Sequence, residues 1–337
     1  MSIRHDTPSP HGSGQQARRG RDLWLTAALI GIVVASLVGI AAATGWEEIS
    51  RQLSRIGLVE ILILLGLSLG NYVLRGLRWH VFARRLSLPI SLADNLLHFA
   101  GGFAMSVTPG RLGELVRTRW IHRQTGQSFD KTAPLILVDR ASDLAAMAVL
   151  MAVALFFSAS GISGAIPVAL ACIITAALLT RPALLRESAN IAYRTTRRWP
   201  RVFARVRRSS RTLSRFTDGW TMLISGFLGL AGWFAEGCAF FLLLHWLGAD
   251  VSLALAIAIF TFSTLAGGLT GAPGGLGGAE AAMVALLSVQ HVPLEISVPA
   301  TAIIRVTTLW FAILIGVAAF PMAEKHSLKV RNALEKN

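Results

Sequence analysis

Apolar residues run almost unbroken along much of this chain, interrupted by short polar stretches. Six runs are long enough for a helix to cross a bilayer: Leu23–Thr44, Leu58–Phe82, Ala133–Phe157, Ile162–Thr180, Trp220–Leu247 and Ser297–Met322. Such a crossing takes about 17–25 residues. Two further apolar stretches, Leu92–Val107 and Ser252–Gln290, are broken or bounded by Pro and Gly. The pattern predicts an all-α, polytopic integral membrane protein.

Charge distribution turns these runs into a topology. Arg18, Arg19 and Arg21 precede the first run, Arg84 and Arg85 follow the second, and Arg111, Arg117, Arg119, Arg123 and Lys131 precede the third. Arg181–Arg215 is the densest basic segment, and Lys325, Lys329 and Arg331 lie in the tail. Segments 158–161, 248–251 and 290–296 hold no Lys or Arg, and Arg51 and Arg55 in the 45–57 loop are offset by Glu47 and Glu48. The positive-inside rule then places both termini in the cytoplasm, with six full crossings. Leu92–Val107 lies between two cytoplasmic segments and Ser252–Gln290 between two outer loops, so each must enter and return as a re-entrant hairpin. Irregular backbone at membrane depth is tolerated only where protein or a wet cavity shields it.

Composition agrees with this picture and narrows the chemistry. Of 337 residues, 53% are hydrophobic and only 15% charged, against roughly 25% charged in soluble domains. Neither Cys172 nor Cys238 has a partner at motif spacing, and the eight histidines are scattered, so no disulfide and no metal site is expected. Residues 1–22 read as a polar, disordered cytoplasmic tail before an uncleaved signal anchor. Residues 23–323 form the membrane domain and 324–337 a second cytoplasmic tail.

The two breaks resemble each other. Thr108-Pro109-Gly110-Arg111-Leu112-Gly113-Glu114 and Ala272-Pro273-Gly274-Gly275-Leu276-Gly277-Gly278-Ala279-Glu280 share a small-Pro-Gly-x-Leu-Gly core with a glutamate soon after. Arg140 follows Pro109 by 31 positions and Arg305 follows Pro273 by 32, each inside the next span. The order of span, span, hairpin, span occurs twice, from opposite sides of the membrane. This predicts an inverted-topology repeat with halves of about 23–158 and 162–323, the second containing the basic loop 181–219. Secondary transporters use that plan, with broken elements meeting near the midplane.

Nucleotide binding does not explain the glycines. A Walker loop needs a lysine after them and none follows, and the Gly275–Gly278 order does not fit a dinucleotide fingerprint. The expected role is a tight turn and close helix approach at Pro109, Gly110, Gly113, Pro273, Gly274, Gly275 and Gly277. Gly267, Gly271 and Gly275 also fall at small-xxx-small spacing. A half-helix starting after each turn would aim free N–H groups inward, a favourable place for an anion. No cofactor is implied.

Ionisable residues inside spans cost a few kcal/mol on insertion scales and are candidate functional groups by default. The set is Arg75, Arg78, Asp139, Arg140, Asp143, Glu236, Glu280 and Arg305, with Arg111 and Glu114 at the first break. Asp139 and Asp143 share a helical face and need a cation, a shared proton or an arginine such as Arg140 or Arg111. At about 1.5 Å per residue, Arg140 lies roughly 10 Å from the cytoplasmic side and Arg305 at similar depth from the outside. Arg75, Arg78 and Asp139, nearer helix ends, have an alternative reading as snorkelling or structurally paired groups. Within Arg181–Arg215, Val202, Phe203, Val206, Leu213 and Phe216 fall on one face of a helix expected to lie on the anionic inner leaflet. Tethering at both ends argues against nucleic acid as its partner.

Together, Arg75-Gly-Leu-Arg78-Trp79, Thr108–Glu114, Arg140-Ala-Ser-Asp143 and Pro273–Glu280, in this order, resemble the flippase-like transmembrane domain of lysylphosphatidylglycerol synthases and their stand-alone relatives. The resemblance covers nearly the whole chain after the N-terminal tail. Where the family usually has glutamate, this chain has Asp139. The resemblance implies movement of an anionic lipid or lipid-linked precursor between leaflets of a bacterial-type inner membrane, without the aminoacyl-transferase chemistry of the synthases. The partners are then membrane lipids and possible lipid-biosynthetic enzymes. The alternative is a non-transporting accessory protein of an envelope-lipid or glycolipid pathway. An embedded transferase is disfavoured, since no nucleophile or metal constellation is visible.

The topology is testable with single engineered cysteines and an impermeant thiol reagent. Positions in Arg181–Arg215 should label only from the cytoplasmic side, and those beside Pro109 and Pro273 from opposite sides. Labelling of the basic loop from outside would overturn the assignment.

Overall fold

The computed structural model describes residues 56–108, 113–157, 214–216 and 218–334, with isolated helical positions between 167 and 194. All of these belong to one compact unit, Glu47–Asn337. The expected tail and span before residue 45, most of the 162–180 span, most of the basic loop, and Pro109, Gly110 and Arg111 lie outside the described residues.

The described residues are helical, with no strand among them. Helix α1 spans Leu58–Arg85, α2 Leu92–Gly102 and, after a short 3-10 turn at Phe103–Met105, α3 spans Gly113–Thr125. Next comes α4, Phe129–Phe157, and, past the basic segment, α5, Gly219–Trp246. Helix α6 spans Leu253–Leu269, a 3-10 turn Pro273–Gly275, and α7 Gly278–Val289. Helix α8, Leu294–Arg305, passes through a π-helical segment, Val306–Trp310, into α9, Phe311–Leu334.

Four of these elements are long and apolar enough to cross a membrane: α1, α4, α5 and the continuous Leu294–Ala333. A continuous helix satisfies its own N–H and C=O groups, the condition a bilayer imposes on a crossing segment. The chain is therefore a polytopic helical membrane protein. Leu62, Leu69, Val73, Phe156, Phe227 and Leu314 remain exposed, as a lipid-facing surface requires.

The stretch Leu92–Val107 forms α2 and a 3-10 turn, and α3, which carries Arg117, Arg119 and Arg123, follows as a helix that the apolar pattern did not predict. Protein contacts hold α3 in place. Arg119 and Arg123 each reach Glu324 of α9 at 2.7 Å, Trp120 donates to the same carboxylate at 2.7 Å, and Arg117 packs on aromatic rings. The second stretch, Ser252–Gln290, forms α6 and α7 as expected.

Local detail recurs between the two sets of elements. Helix α1 ends with Ser87 at φ 54 and Leu88 N–H donating to the Ala83 carbonyl, and Ser91 caps α2. Helix α5 ends with Gly248 at φ 84 and Ala249 N–H donating to the Leu244 carbonyl, and Ser252 caps α6. Both are left-handed C-caps that return the chain sharply into the next helix. Gly126 at φ 66 precedes α4 and His291 at φ 59 precedes α8, and Pro134 and Pro299 occupy corresponding places inside those helices. Helices α1 and α5 pack along each other, α4 packs on α6, and α9 packs on α2 and α3.

Glycines allow the hairpin limbs to meet. A β-carbon at Gly113 would lie 2.1 Å from the Gly102 carbonyl oxygen, and one at Gly267 would lie 2.8 Å from the Ala279 nitrogen. In the second turn Gly274 and Gly277 have φ of 64 and 79, a region costly for β-branched residues. Gly113→Val and Gly274→Val are therefore expected to cut the detergent-extracted folded yield several-fold. Gly66→Ala, with open space around its α-carbon, should leave it unchanged. Wild-type yield from both valine variants, judged by monodisperse elution, would show that the glycines do not shape these turns.

Candidate functional site

Helical spacing assembles the first layer of the site. In α1, Asn71, Arg75 and Arg78 fall at i, i+4 and i+7, on one face, and in α4 Asp139 and Asp143 do the same. The two faces meet. Arg78 is 0% exposed and donates to Asp139 Oδ1 at 2.6 Å, to the Asp139 carbonyl at 3.3 Å and to Asp143 Oδ1 at 2.7 Å. Arg75 donates to the second oxygen of Asp143 at 2.7 Å, and Trp233 of α5 donates to the first at 3.0 Å.

This answers the need for a cation beside the two aspartates, and adds Arg78 to the expected arginine partners. Arg78 bridges both carboxylates, whereas Arg140 comes only within 3.7 Å of Asp143. Arg111 lies outside the described residues. Arg78 does not snorkel; seven residues from the helix end, it is enclosed by α4 and α5, so closely that a β-carbon added at Gly229 would lie 2.9 Å from its Nη1.

Each hairpin supplies a glutamate to an arginine in a long helix. Glu114, in the first turn of α3, pairs with Arg140 of α4. Glu280, in the first turn of α7, pairs with Arg305 at 2.6 Å, and Arg305 also donates to the Gly274 carbonyl at 2.9 Å. The second bond satisfies backbone exposed by the turn, which an apolar environment demands. Arg305 directly precedes the π-helical segment, where Thr307 and Thr308 donate to the Ile303 and Ile304 carbonyls and Tyr72 donates to the Thr308 carbonyl. Single π turns of this kind are frequent at functional sites.

The hairpin turns and the ion pairs enclose a cavity of about 420 Å³. Arg75, Glu114, Arg140, Asp143, Glu236 and Arg305 line it, with Gly113 and Gly274 at its wall. Arg78, Asp139 and Glu280 are not part of the lining and hold the lining residues from behind. Glu236 is 5% exposed and accepts from the Asn71 amide at 2.5 Å. No arginine or lysine ion pair to it occurs among the described residues. Pro273, Gly275 and Gly277 shape the second turn without contributing a charged group.

Four residues with clear roles were not singled out from the sequence: Asn71, Tyr72, Trp233 and Arg117. The first three are neutral donors whose partners become evident only when α1 meets α5 and the π segment, and α5 meets α4. Arg117 had a usable signal, since it lies one helical turn after Glu114 and therefore on the same face. It is 4% exposed, lines the cavity, and lies 4.0 Å from the Phe99 ring centroid, with Phe103 at 5.4 Å and Trp79 at 5.6 Å. Its Nε has no hydrogen-bond partner. Cation–π contacts contribute about 0.5–2 kcal/mol, less than the several kcal/mol per ion that burial costs. The rings alone do not offset the desolvation of this guanidinium.

Chemically, the arrangement concentrates paired charges around an apolar-walled cavity. It offers guanidinium forks suited to a carboxylate or phosphate, apolar walls, and carboxylates already committed to arginines. No group of three His, Cys, Asp or Glu residues placed to hold a metal occurs among the described residues.

Comparison with known proteins agrees with these features. A UPF0104 membrane protein of Methanothermobacter thermautotrophicus is 26% identical over 319 residues, covering 88% of this chain and 94% of that protein. Residues 24–316 match the family described as the lysylphosphatidylglycerol synthase TM region. With its buried Arg78 network, its two broken helical hairpins and a match over nearly its whole length, the chain belongs to the lysylphosphatidylglycerol synthase TM region family.

Proposed function

We propose that this protein moves a phosphate-bearing, anionic lipid or lipid-linked precursor between membrane leaflets, as a transporter rather than an enzyme. In this reading six crossings and two re-entrant hairpins form two halves of inverted topology, with both termini in the cytoplasm of a cell with a bacterial-type inner membrane. The observation that carries the reading is the cavity at which the turns of both hairpins meet, lined by Arg75, Glu114, Arg140, Asp143, Glu236 and Arg305. The family takes its name from a synthase of a phospholipid, which points to a lipid as the ligand.

Three features support the inverted repeat: the recurring C-caps, the paired prolines, and the glutamate–arginine pairs Glu114–Arg140 and Glu280–Arg305. Each pair ties a hairpin to the long helix that follows it, so exchange of a carboxylate for a lipid phosphate at either arginine would release that hairpin. Loading from one leaflet and release to the other then require only that the two hairpins open in turn. The same pairing favours a second reading, a static accessory protein whose charges serve packing.

Leaflet-resolved flipping of fluorescent phosphatidylglycerol by purified protein in liposomes separates the two. Wild type should accelerate transfer. Arg140→Gln with Glu114→Gln, and Arg305→Gln with Glu280→Gln, remove each pair without leaving an unpaired charge. Hydrogen bonds to charged groups contribute about 1.5–3 kcal/mol, so each double variant should lose about ten- to hundredfold in rate while eluting as folded protein. Full activity of both would refute the binding role. Misfolding of both, with no wild-type flipping, would favour the packing role.

A further inference from the structure

We propose that Arg117 is the anchor for a phosphate group in this cavity, a role that neither the fold nor the ion pairs already described assign to it. Arg75, Arg78, Arg140 and Arg305 each contact a carboxylate of the chain. Arg117 makes no ion pair and no hydrogen bond among the described residues, although it is only 4% exposed. Its guanidinium rests against the Phe99 ring at the cavity wall. A buried fork of N–H donors left without an acceptor is a site lacking its anion. Guanidinium matches phosphate oxygens two at a time.

The space for this arginine is built into the backbone. A β-carbon at Gly102 would lie 2.2 Å from Arg117 Nε, so only glycine leaves room for the side chain at the crossing of α2 and α3. The other hairpin shows what packing alone would place there. Three residues after Glu114 stands Arg117, whereas three residues after Glu280 stands Met283, an apolar side chain that is 0% exposed. A hairpin that needs only a filled interior uses methionine at this point. The cation in the first hairpin is an addition, and it makes the two sides of the cavity chemically unequal. Substrate phosphate is then held on the α3 side, while the paired arginines remain available as the hairpins move.

The ligand class is a phosphate, carried on a lipid head group or free in solution; its assignment to a lipid rests on the transport reading above. The test uses full-length protein in detergent and calorimetric binding of three probes: dihexanoyl-phosphatidylglycerol, inorganic phosphate and dihexanoylglycerol. Wild type is expected to bind the first and not the third. Arg117→Met, which copies the second hairpin, should weaken that binding at least about tenfold and leave the ligand-free melting temperature unchanged or raised. Arg117→Lys keeps the charge without the fork and should fall between them, which preserves the test if the methionine variant fails to fold. Equal affinity in wild type and both variants, or equal binding of dihexanoylglycerol, would overturn the assignment. Phosphate binding as tightly as the lipid, lost on Arg117→Met, would support the site and assign it to a free anion. Binding through Arg117 without any flipping in liposomes would leave the site standing and sink only the transport reading.

Discussion

A guanidinium that cannot reach water must have its carboxylates brought to it, and Arg78 imposes that requirement on the whole bundle. It is bonded to Asp139 and Asp143 of α4, while Trp233 of α5 shares the second aspartate. Removing one partner of such a buried pair typically costs 3–5 kcal/mol, because the remaining charge stays buried and unmatched. Sliding α1 against α4 by a single turn would break both contacts at once. The register of three long helices is thereby set by one side chain, in a setting where apolar packing against lipid-like surfaces discriminates poorly between registers.

With that register in place, the remaining charges have few arrangements open to them. Arg75 is carried to the other oxygen of Asp143, and Arg140 is turned toward Glu114 of the first hairpin. On the other side Arg305 bonds both Glu280 and the Gly274 carbonyl, so it neutralises a carboxylate and satisfies the turn's backbone together. The glycines let the limbs cross closely enough for these contacts to form. A cavity with charged walls follows where the two hairpins meet and their glutamates reach outward to the long helices.

Much of this was legible in the sequence. Long apolar runs identified α1, α4, α5 and the last helix, because a membrane permits few alternatives to a continuous helix. The second Pro-Gly break located a turn, and the similar separation of Pro109 from Arg140 and Pro273 from Arg305 matches the pairing of each of those arginines with the glutamate that follows its break. Helix α3 was not predicted as a packed element because its arginines outweigh its apolar residues; its contacts with Glu324 and the aromatic rings depend on neighbours distant in the chain. Asp139 and Asp143 were seen to need a cation, but the choice of Arg78 over Arg140 depends on how α1 approaches α4. Spacing along one helix carries no information about that approach. Arg117 was concealed for the same reason, since its burial is created by Phe99, Phe103 and Trp79, which lie elsewhere in the chain.

The central claim is that one cavity is served from both membrane faces. Thr264 lines that cavity from α6 and is not fully buried. The most direct measurement is labelling of Thr264→Cys, in a chain with Cys172→Ser and Cys238→Ser, by an impermeant thiol reagent applied to right-side-out and inside-out vesicles. The account predicts labelling from either face, slowed by dihexanoyl-phosphatidylglycerol. Labelling from one face alone, unaffected by that lipid, would contradict it.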